Sequence, residues 1–219
     1  MNNKYNAVLF DLDGTLLDTA NDLGEALNYV LTKHNQPIIA REKYRPVASD
    51  GAKGLLELGF GEQLKNFSYE QLRQEFLDYY QENIAVHTCL YPGVEPLLTR
   101  LNEQNIPWGI VTNKPENLTY QLMPHFQIFE HSQAIVGGDT IKQRKPHPAP
   151  LIHACQLMNI DAKQCLYIGD APRDIEAGNS ANMYSIVALW GYILDQQSCL
   201  SWQANALAKT PEDICTFIF

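Results

Sequence analysis

The residues Ala7–Phe10 are all apolar and stop at Asp11, and the same abrupt change recurs where Trp108–Val111 meets Thr112, Ala134–Val136 meets Gly137 and residues 165–168 meet Gly169. A strand covered on one face alternates apolar and polar side chains; an unbroken apolar run marks one covered on both, as in a parallel sheet. Residues 184–189 form another largely apolar run, broken only by Ser185. Helical spacing fills the intervals: Val94, Leu97, Leu98 and Leu101 after Pro92-Gly93, Leu118, Leu122 and Phe126 every four residues, and the stretches 148–158 and 173–179. Strand–helix–strand repetition predicts an α/β fold with a doubly wound, Rossmann-like parallel sheet. Thr210-Pro211-Glu212-Asp213 reads as a cap, a first-turn proline and two acids opening a last helix.

One interval breaks the rhythm, because 98 residues stand between Asp13 and Thr112, where one crossover helix needs a few tens at most. The excess reads as helical. Leu23, Ala26, Leu27, Val30 and Leu31 make one stripe, and Leu72, Phe76, Tyr79 and Tyr80 make another behind a Ser68-x-x-Gln71 capping box. An inserted α-helical domain is expected over residues 18–89, with the core built from 1–17 and 90–219. Tyr29, Tyr79, Tyr80 and the three tryptophans are read as core residues.

Composition narrows the function. Sixteen lysines and arginines against 25 aspartates and glutamates give a formal charge of −9 and no basic cluster, so no nucleic-acid partner is expected. No apolar run is long enough to span a bilayer, and the first residues lack the apolar stretch of a signal peptide. No membrane partner and a cytoplasmic location are therefore expected. The five cysteines are scattered, with no C-x-x-C pair, and read as reduced structural thiols. Histidines at 147 and 153 are six apart, which gives no zinc spacing.

In an open α/β sheet the ligand lies beyond the carboxyl ends of the strands. There the sequence puts Asp11-Leu12-Asp13-Gly14-Thr15, Thr112-Asn113-Lys114, the loop Lys145-Pro146-His147-Pro148, and Gly169-Asp170 followed by Asp174. Taken singly these are ordinary: D-x-D-G is a turn signal, and Leu16 at the sixth loop position excludes a calcium-binding EF-hand. Together they crowd carboxylates that repel unless a cation joins them, and all-oxygen donors suit Mg2+. Asp11 can then attack phosphorus while Lys145 neutralises the phosphoryl oxygens, and Asp13 can act as acid and then base. Thr112 and the main-chain N–H groups near Gly14 and Asn113 would cradle the phosphate. Beside a glycine-containing turn in the insert, Arg45 and Lys53 are candidates to pair with a substrate carboxylate.

These four motifs resemble those of the haloacid dehalogenase (HAD) superfamily over nearly the whole chain, with Asp11 to Thr15 matching D-x-D-G-T, Thr112 the second motif, Lys145 the third, and Gly169, Asp170 and Asp174 the fourth. The resemblance implies Asp11 as nucleophile, Asp13 as acid/base, Mg2+ held by Asp11, Asp170 and the Asp13 carbonyl, and Asp174 fixing the metal region. It also implies that the inserted helices are a cap, hinged near residues 17–20 and 85–92. True dehalogenases lack the second aspartate, so Asp13 points to a phosphatase.

Arg45 to Ala52, Gly137-Gly138-Asp139 and Trp190-Gly191-Tyr192 are similar to phosphoglycolate and N-acetylmuramic acid 6-phosphate phosphatases. The substrate this implies is a small phosphorylated metabolite: 2-phosphoglycolate first, with N-acetylmuramic acid 6-phosphate or the chemistry of a sugar phosphomutase as alternatives. A monomer or weak homodimer is expected. Two departures stand out, His147 where the lysine motif often has Asp, and Ala171-Pro172 after Gly-Asp.

Overall fold

The computed structural model describes residues 5–219. The chain divides into two compact units, one made of Met1–Leu17 with Leu90–Phe219 and the other of Asp18–Cys89. It passes between them at two short strands that pair, β2 (Leu17–Asp18) and β3 (Cys89–Leu90).

The larger unit begins with β1 (Ala7–Phe10). Among the described residues it holds β4 (Trp108–Val111), β5 (Ala134–Val136), β6 (Cys165–Gly169), β7 (Tyr184–Ala188) and β8 (Ala206–Ala208), in the spatial order β5-β4-β1-β6-β7-β8. All these pairings are parallel, with Val8 opposite Trp108 and Leu166 and Phe10 opposite Ile110 and Ile168. The four central strands β4, β1, β6 and β7 come from the apolar runs, with Ser185 the one polar interruption, and 17 of their 18 residues are buried. One face of the sheet presents Ala7, Leu9, Val111 and Tyr167 to Leu151, Ala154 and Met158 of the helix Ala149–Met158. Alternation puts Asp11 on the side of Ala7 and Leu9.

β8 escapes the sequence pattern because it is a three-residue strand at the sheet edge, with Leu207 39% exposed. The last helix is also shorter than the Thr210 cap suggests. Pro211–Ile214 is a 3-10 turn leading into a single helical turn, Cys215–Ile218. Asp213 caps it backwards, its Oδ2 accepting from the N–H groups of Lys209 at 2.8 Å and Thr210 at 3.0 Å.

The smaller unit is helical, with α1 (Ala20–Lys33), α2 (Arg41–Tyr44), α3 (Gly51–Phe60) and α4 (Tyr69–Glu82). Leu23, Ala26, Leu27, Val30 and Leu31 of α1 are buried, as are Leu72, Phe76 and Tyr80 of α4. Tyr29 is not a core residue: it is 43% exposed and stacks on Tyr79, with ring centroids 4.4 Å apart. The carboxylate of Asp22 is buried and ties α1 to the end of the insert. It accepts from His87 N at 2.8 Å, Thr88 N at 3.0 Å and Thr88 Oγ1 at 2.6 Å.

Candidate active site

At the carboxyl end of β1, Asp11 N donates to Ile168 O at 2.8 Å, so the β1–β6 ladder runs one residue past the strand. The chain then coils tightly, with the N–H groups of Leu16 and Leu17 both donating to Leu12 O at 3.0 Å. Gly14 sits at φ +88° in this coil, and a Cβ there would lie 2.2 Å from Asp170 Oδ2. Only glycine meets both demands, the left-handed backbone and the close approach.

Lys145 is the hub of the site, its side chain 1% exposed. Its Nζ lies 2.8 Å from Asp11 Oδ1, 2.7 Å from Asp174 Oδ1, 2.8 Å from Val111 O and 2.8 Å from Tyr167 Oη. The contacts with Asp11 and Asp174 are ion pairs, while hydrogen bonds run to Val111 O and Tyr167 Oη; the buried Asp11 Oδ1 has no hydrogen-bond partner of good geometry among the described residues. Asp174 is held at both oxygens: Oδ1 is also 3.2 Å from Tyr167 Oη, and Oδ2 accepts from Ala171 N at 3.0 Å. Asn113 fixes the main chain of Lys145 from both sides, Oδ1 accepting from Lys145 N at 3.0 Å and Nδ2 donating to Lys145 O at 2.9 Å. His147 serves the same loop as a cap, its Nδ1 accepting from Ala149 N at 3.1 Å at the head of the helix Ala149–Met158.

Thr112 Oγ1 accepts from Lys114 N at 3.1 Å, which leaves its own O–H proton to donate elsewhere. The Lys114 ammonium lies 3.2 Å from Asp13 Oδ1, with both side chains largely shielded from water.

Burial dominates the electrostatics. It pushes the Asp11 carboxyl up to about 6 against the opposing pull of Lys145, and Asp170 up to about 7, where the Asp11 and Asp174 charges add to it. The same desolvation drives the Tyr167 phenol well above its ordinary range, so it stays a neutral hydroxyl. Asp11, Asp170 and Asp174 each offer a carboxylate oxygen, all within 4.8 Å of one another. Three such groups in a buried site, one with an oxygen that accepts no hydrogen bond, fit a hard divalent cation. Because Asp174 is already held at both oxygens, Asp11 and Asp170 are the better ligand candidates.

The sequence profile of the haloacid dehalogenase-like hydrolases matches residues 8–188. The chain belongs to that family. It is 42% identical over 208 residues to the phosphoglycolate phosphatase of Xanthomonas campestris pv. campestris (strain 8004), covering 95% of this chain and 94% of that one. Identity is 37% over 211 residues with the N-acetylmuramic acid 6-phosphate phosphatase of Pseudomonas aeruginosa, covering 96% and 93%. A crystal structure of a predicted phosphoglycolate phosphatase from Haemophilus somnus 129PT superimposes with TM-score 0.88 at 26% identity, over 99% of each chain.

In this HAD-like hydrolase Asp11, Asp13, Thr112, Asn113, Lys145, Asp170 and Asp174 all lie at one end of the sheet of the larger unit. Arg45 and Lys53 belong to the helical unit. Arg45 Nη1 is 2.7 Å from both oxygens of Asp18, whereas Lys53 is 72% exposed on its side chain and only 3.9 Å from Glu57.

Three further contributors have no role assigned from the sequence, although Lys114 and the segment 190–192 stand among its motifs and only Tyr167 is missed altogether. Lys114 pairs with Asp13, and Tyr167 touches Lys145. The segment 190–192 braces the strand ends, Trp190 Nε1 donating to Thr15 O at 2.9 Å and Tyr192 N to Asp170 Oδ2 at 2.9 Å. A Cβ on Gly191 would lie 2.3 Å from Asp170 Cβ and 2.5 Å from Gly14 O. For Lys114 the sequence signal was its place in Thr112-Asn113-Lys114, for 190–192 the Trp-Gly-Tyr stretch itself, and for Tyr167 there was none beyond its place in an apolar strand.

Proposed function

We propose that the protein is a magnesium-dependent phosphatase hydrolysing a small phosphate monoester through an aspartyl phosphate, with 2-phosphoglycolate as its substrate. The observation that carries this is the Lys145 ammonium set between Asp11 and Asp174, at 2.8 Å and 2.7 Å, in a cluster with Asp170. Asp11 is the nucleophile: its carboxylate oxygen forms a bond to phosphorus as the ester P–O bond breaks. Asp13 hands its proton to the departing alkoxide. Water then attacks the phosphoenzyme, Asp13 takes the water's proton, and the Asp11–phosphorus bond breaks to release inorganic phosphate.

Lys145 and the Thr112 hydroxyl hold the transferring phosphoryl oxygens, which positions them and compensates their charge. Asn113 acts by fixing the main chain of Lys145 and through its own backbone N–H. Asp11 and Asp170 with the Asp13 carbonyl would hold Mg2+, and Asp174 would steady that region. When bound, the ion supplies positive charge against the phosphoryl oxygens.

The helical unit is the cap that selects the leaving group. Lys53 is the cation we assign to a substrate carboxylate; Arg45 would have to exchange Asp18 for it. N-acetylmuramic acid 6-phosphate is the second reading, supported by the relative at 37% identity.

Replacing Asp11 by Asn should abolish phosphate release from both substrates and from p-nitrophenyl phosphate in the presence of Mg2+. Retained turnover would remove Asp11 as nucleophile. The ratio of kcat/KM for the two substrates decides between them, and isomerisation of a sugar phosphate without net phosphate release would replace hydrolysis by a mutase.

A further inference from the structure

We propose that Asp139 and Thr140 are positioning residues: acting through Glu116, they fix the turn Thr112-Asn113-Lys114 so that its hydroxyl and main-chain amide meet the phosphoryl group. The inference rests on the reading in which that turn holds the substrate phosphate.

The turn runs into the helix Glu116–Leu122, whose N-cap is Pro115. A proline ring offers no acceptor for the first N–H groups of a helix. The cap comes instead from the loop after β5, where Asp139 Oδ1 accepts from Glu116 N at 2.7 Å. Thr140 adds a second tie. A hydroxyl has one proton to give; this one goes to Glu116 Oε1 at 2.7 Å, while Oγ1 accepts from Gly137 N at 2.8 Å. Glu116 is thus gripped at its main chain and at its side chain by consecutive residues.

Upstream of Glu116 the same two segments run backbone to backbone. Thr112 N donates to Val136 O at 2.9 Å and Gly138 N to Lys114 O at 2.8 Å, so the pairing of β4 with β5 continues past both strands. A Cβ on Gly138 would lie 2.3 Å from Asn113 O, and one on Gly137 would lie 2.6 Å from Glu116 Cα. Neither glycine has a positive φ, so closeness of approach is what the pair supplies. Residues 137–140 give no group to the reaction, yet each of them bears on the segment that does.

The test is Thr140→Val, which keeps the shape and loses both hydroxyl bonds. It is read, with Mg2+ present, by the competitive inhibition constant of inorganic phosphate and by the pre-steady-state burst of p-nitrophenolate from p-nitrophenyl phosphate. A displaced turn holds the phosphoryl group worse both at rest and in transfer, so the inhibition constant should rise at least about fivefold and the burst should slow about tenfold. Thr140→Ser restores the hydroxyl and should stay within about twofold of the parent on both readouts. A merely structural role would lower Tm and leave phosphate binding and the burst alone. That outcome overturns the proposal, as does a serine variant impaired as badly as the valine one. Should the valine variant fail to fold, Asp139→Ala, at an exposed position, removes the other tie. It should raise the inhibition constant at least about threefold, the scale of one hydrogen bond, and a parent-like constant is again fatal. Thr112→Val separates the two levels. If it leaves inhibition by phosphate unchanged, the turn is not the phosphate cradle; if it weakens inhibition while Thr140→Val does not, only the role of Asp139 and Thr140 fails.

Discussion

The Lys114 ammonium stands 3.2 Å from Asp13 Oδ1, joining a residue just past β4 to one just past β1 across 101 positions of sequence. Neither side chain is much exposed, so the pair is screened far less than a surface ion pair and can set the direction of the Asp13 carboxyl. A carboxyl that must reach a leaving oxygen gains from such fixing.

Lys114→Met should therefore act where a proton has to be delivered. Release of glycolate from 2-phosphoglycolate should slow about 10- to 100-fold, a part of the roughly 100- to 10,000-fold that a general acid supplies, because Lys114 orients the acid and is not itself the acid. The p-nitrophenolate burst should stay within about threefold, because that leaving group departs without a proton. Lys114→Arg should recover part of the loss. Equal slowing of both substrates would contradict the orienting role.

Gly191→Ala tests the brace behind Asp170. Its Cβ would fall 2.3 Å from Asp170 Cβ and 2.5 Å from Gly14 O, and the latter is backbone that cannot swing aside. Displacing a ligand by its support typically costs about 10- to 100-fold in metal affinity. We expect the Mg2+ concentration for half-maximal activity to rise by that factor, with KM for substrate at saturating Mg2+ little changed. Parent-like Mg2+ dependence would show that the loop gives way without moving Asp170.

Stability of the metal-free protein should fall as pH rises. Asp11 and Asp170 stand at about 6 and about 7 in the folded protein against an ordinary 3.8, so between these values the folded protein holds protons that the unfolded chain has lost. Their contribution is complete below the unfolded value and disappears as pH climbs through 6 and 7. In EDTA, Tm should be higher at about pH 5 than at about pH 8, by a few degrees. Added Mg2+ competes with those protons, so it should raise Tm more at the higher pH. A Tm that is flat across this window, with a pH-independent Mg2+ increment, would argue against the buried acidic cluster as the binding site.

Asp22 makes a prediction for the helical unit. Asp22→Ala strips the acceptor from His87 N, Thr88 N and Thr88 Oγ1, which lie in a buried or half-buried setting. Groups left without a partner there should cost about 2–3 kcal/mol in urea unfolding. Asp22→Asn keeps one acceptor and should cost less. A loss below about 0.5 kcal/mol for the alanine variant, the range of ordinary surface changes, would mean that water replaces the carboxylate.

The central strands and the polar residues at their ends were legible in the chain because each is a local event, an apolar run that stops at a particular polar residue. Asp11, Thr112 and Asp170 could be found this way, and so could the helical character of the insert from its stripes. Residues 145–148 were legible as a loop, and Asp174 by its spacing from Asp170. β8 was not, since a three-residue edge strand buries too little to impose a pattern.

Sequence by itself determined which residue types meet at the end of a buried parallel sheet, and the charge problem they create. Only the tertiary structure decided who answers whom. That Tyr167 reaches Lys145, that Lys114 takes Asp13, and that the amide of Asn113 clamps the main chain of Lys145 all depend on strand order and register. A hydrogen bond is sensitive to fractions of an ångström and to direction, and the separations of 22, 101 and 32 residues that these contacts span leave no trace in local spacing.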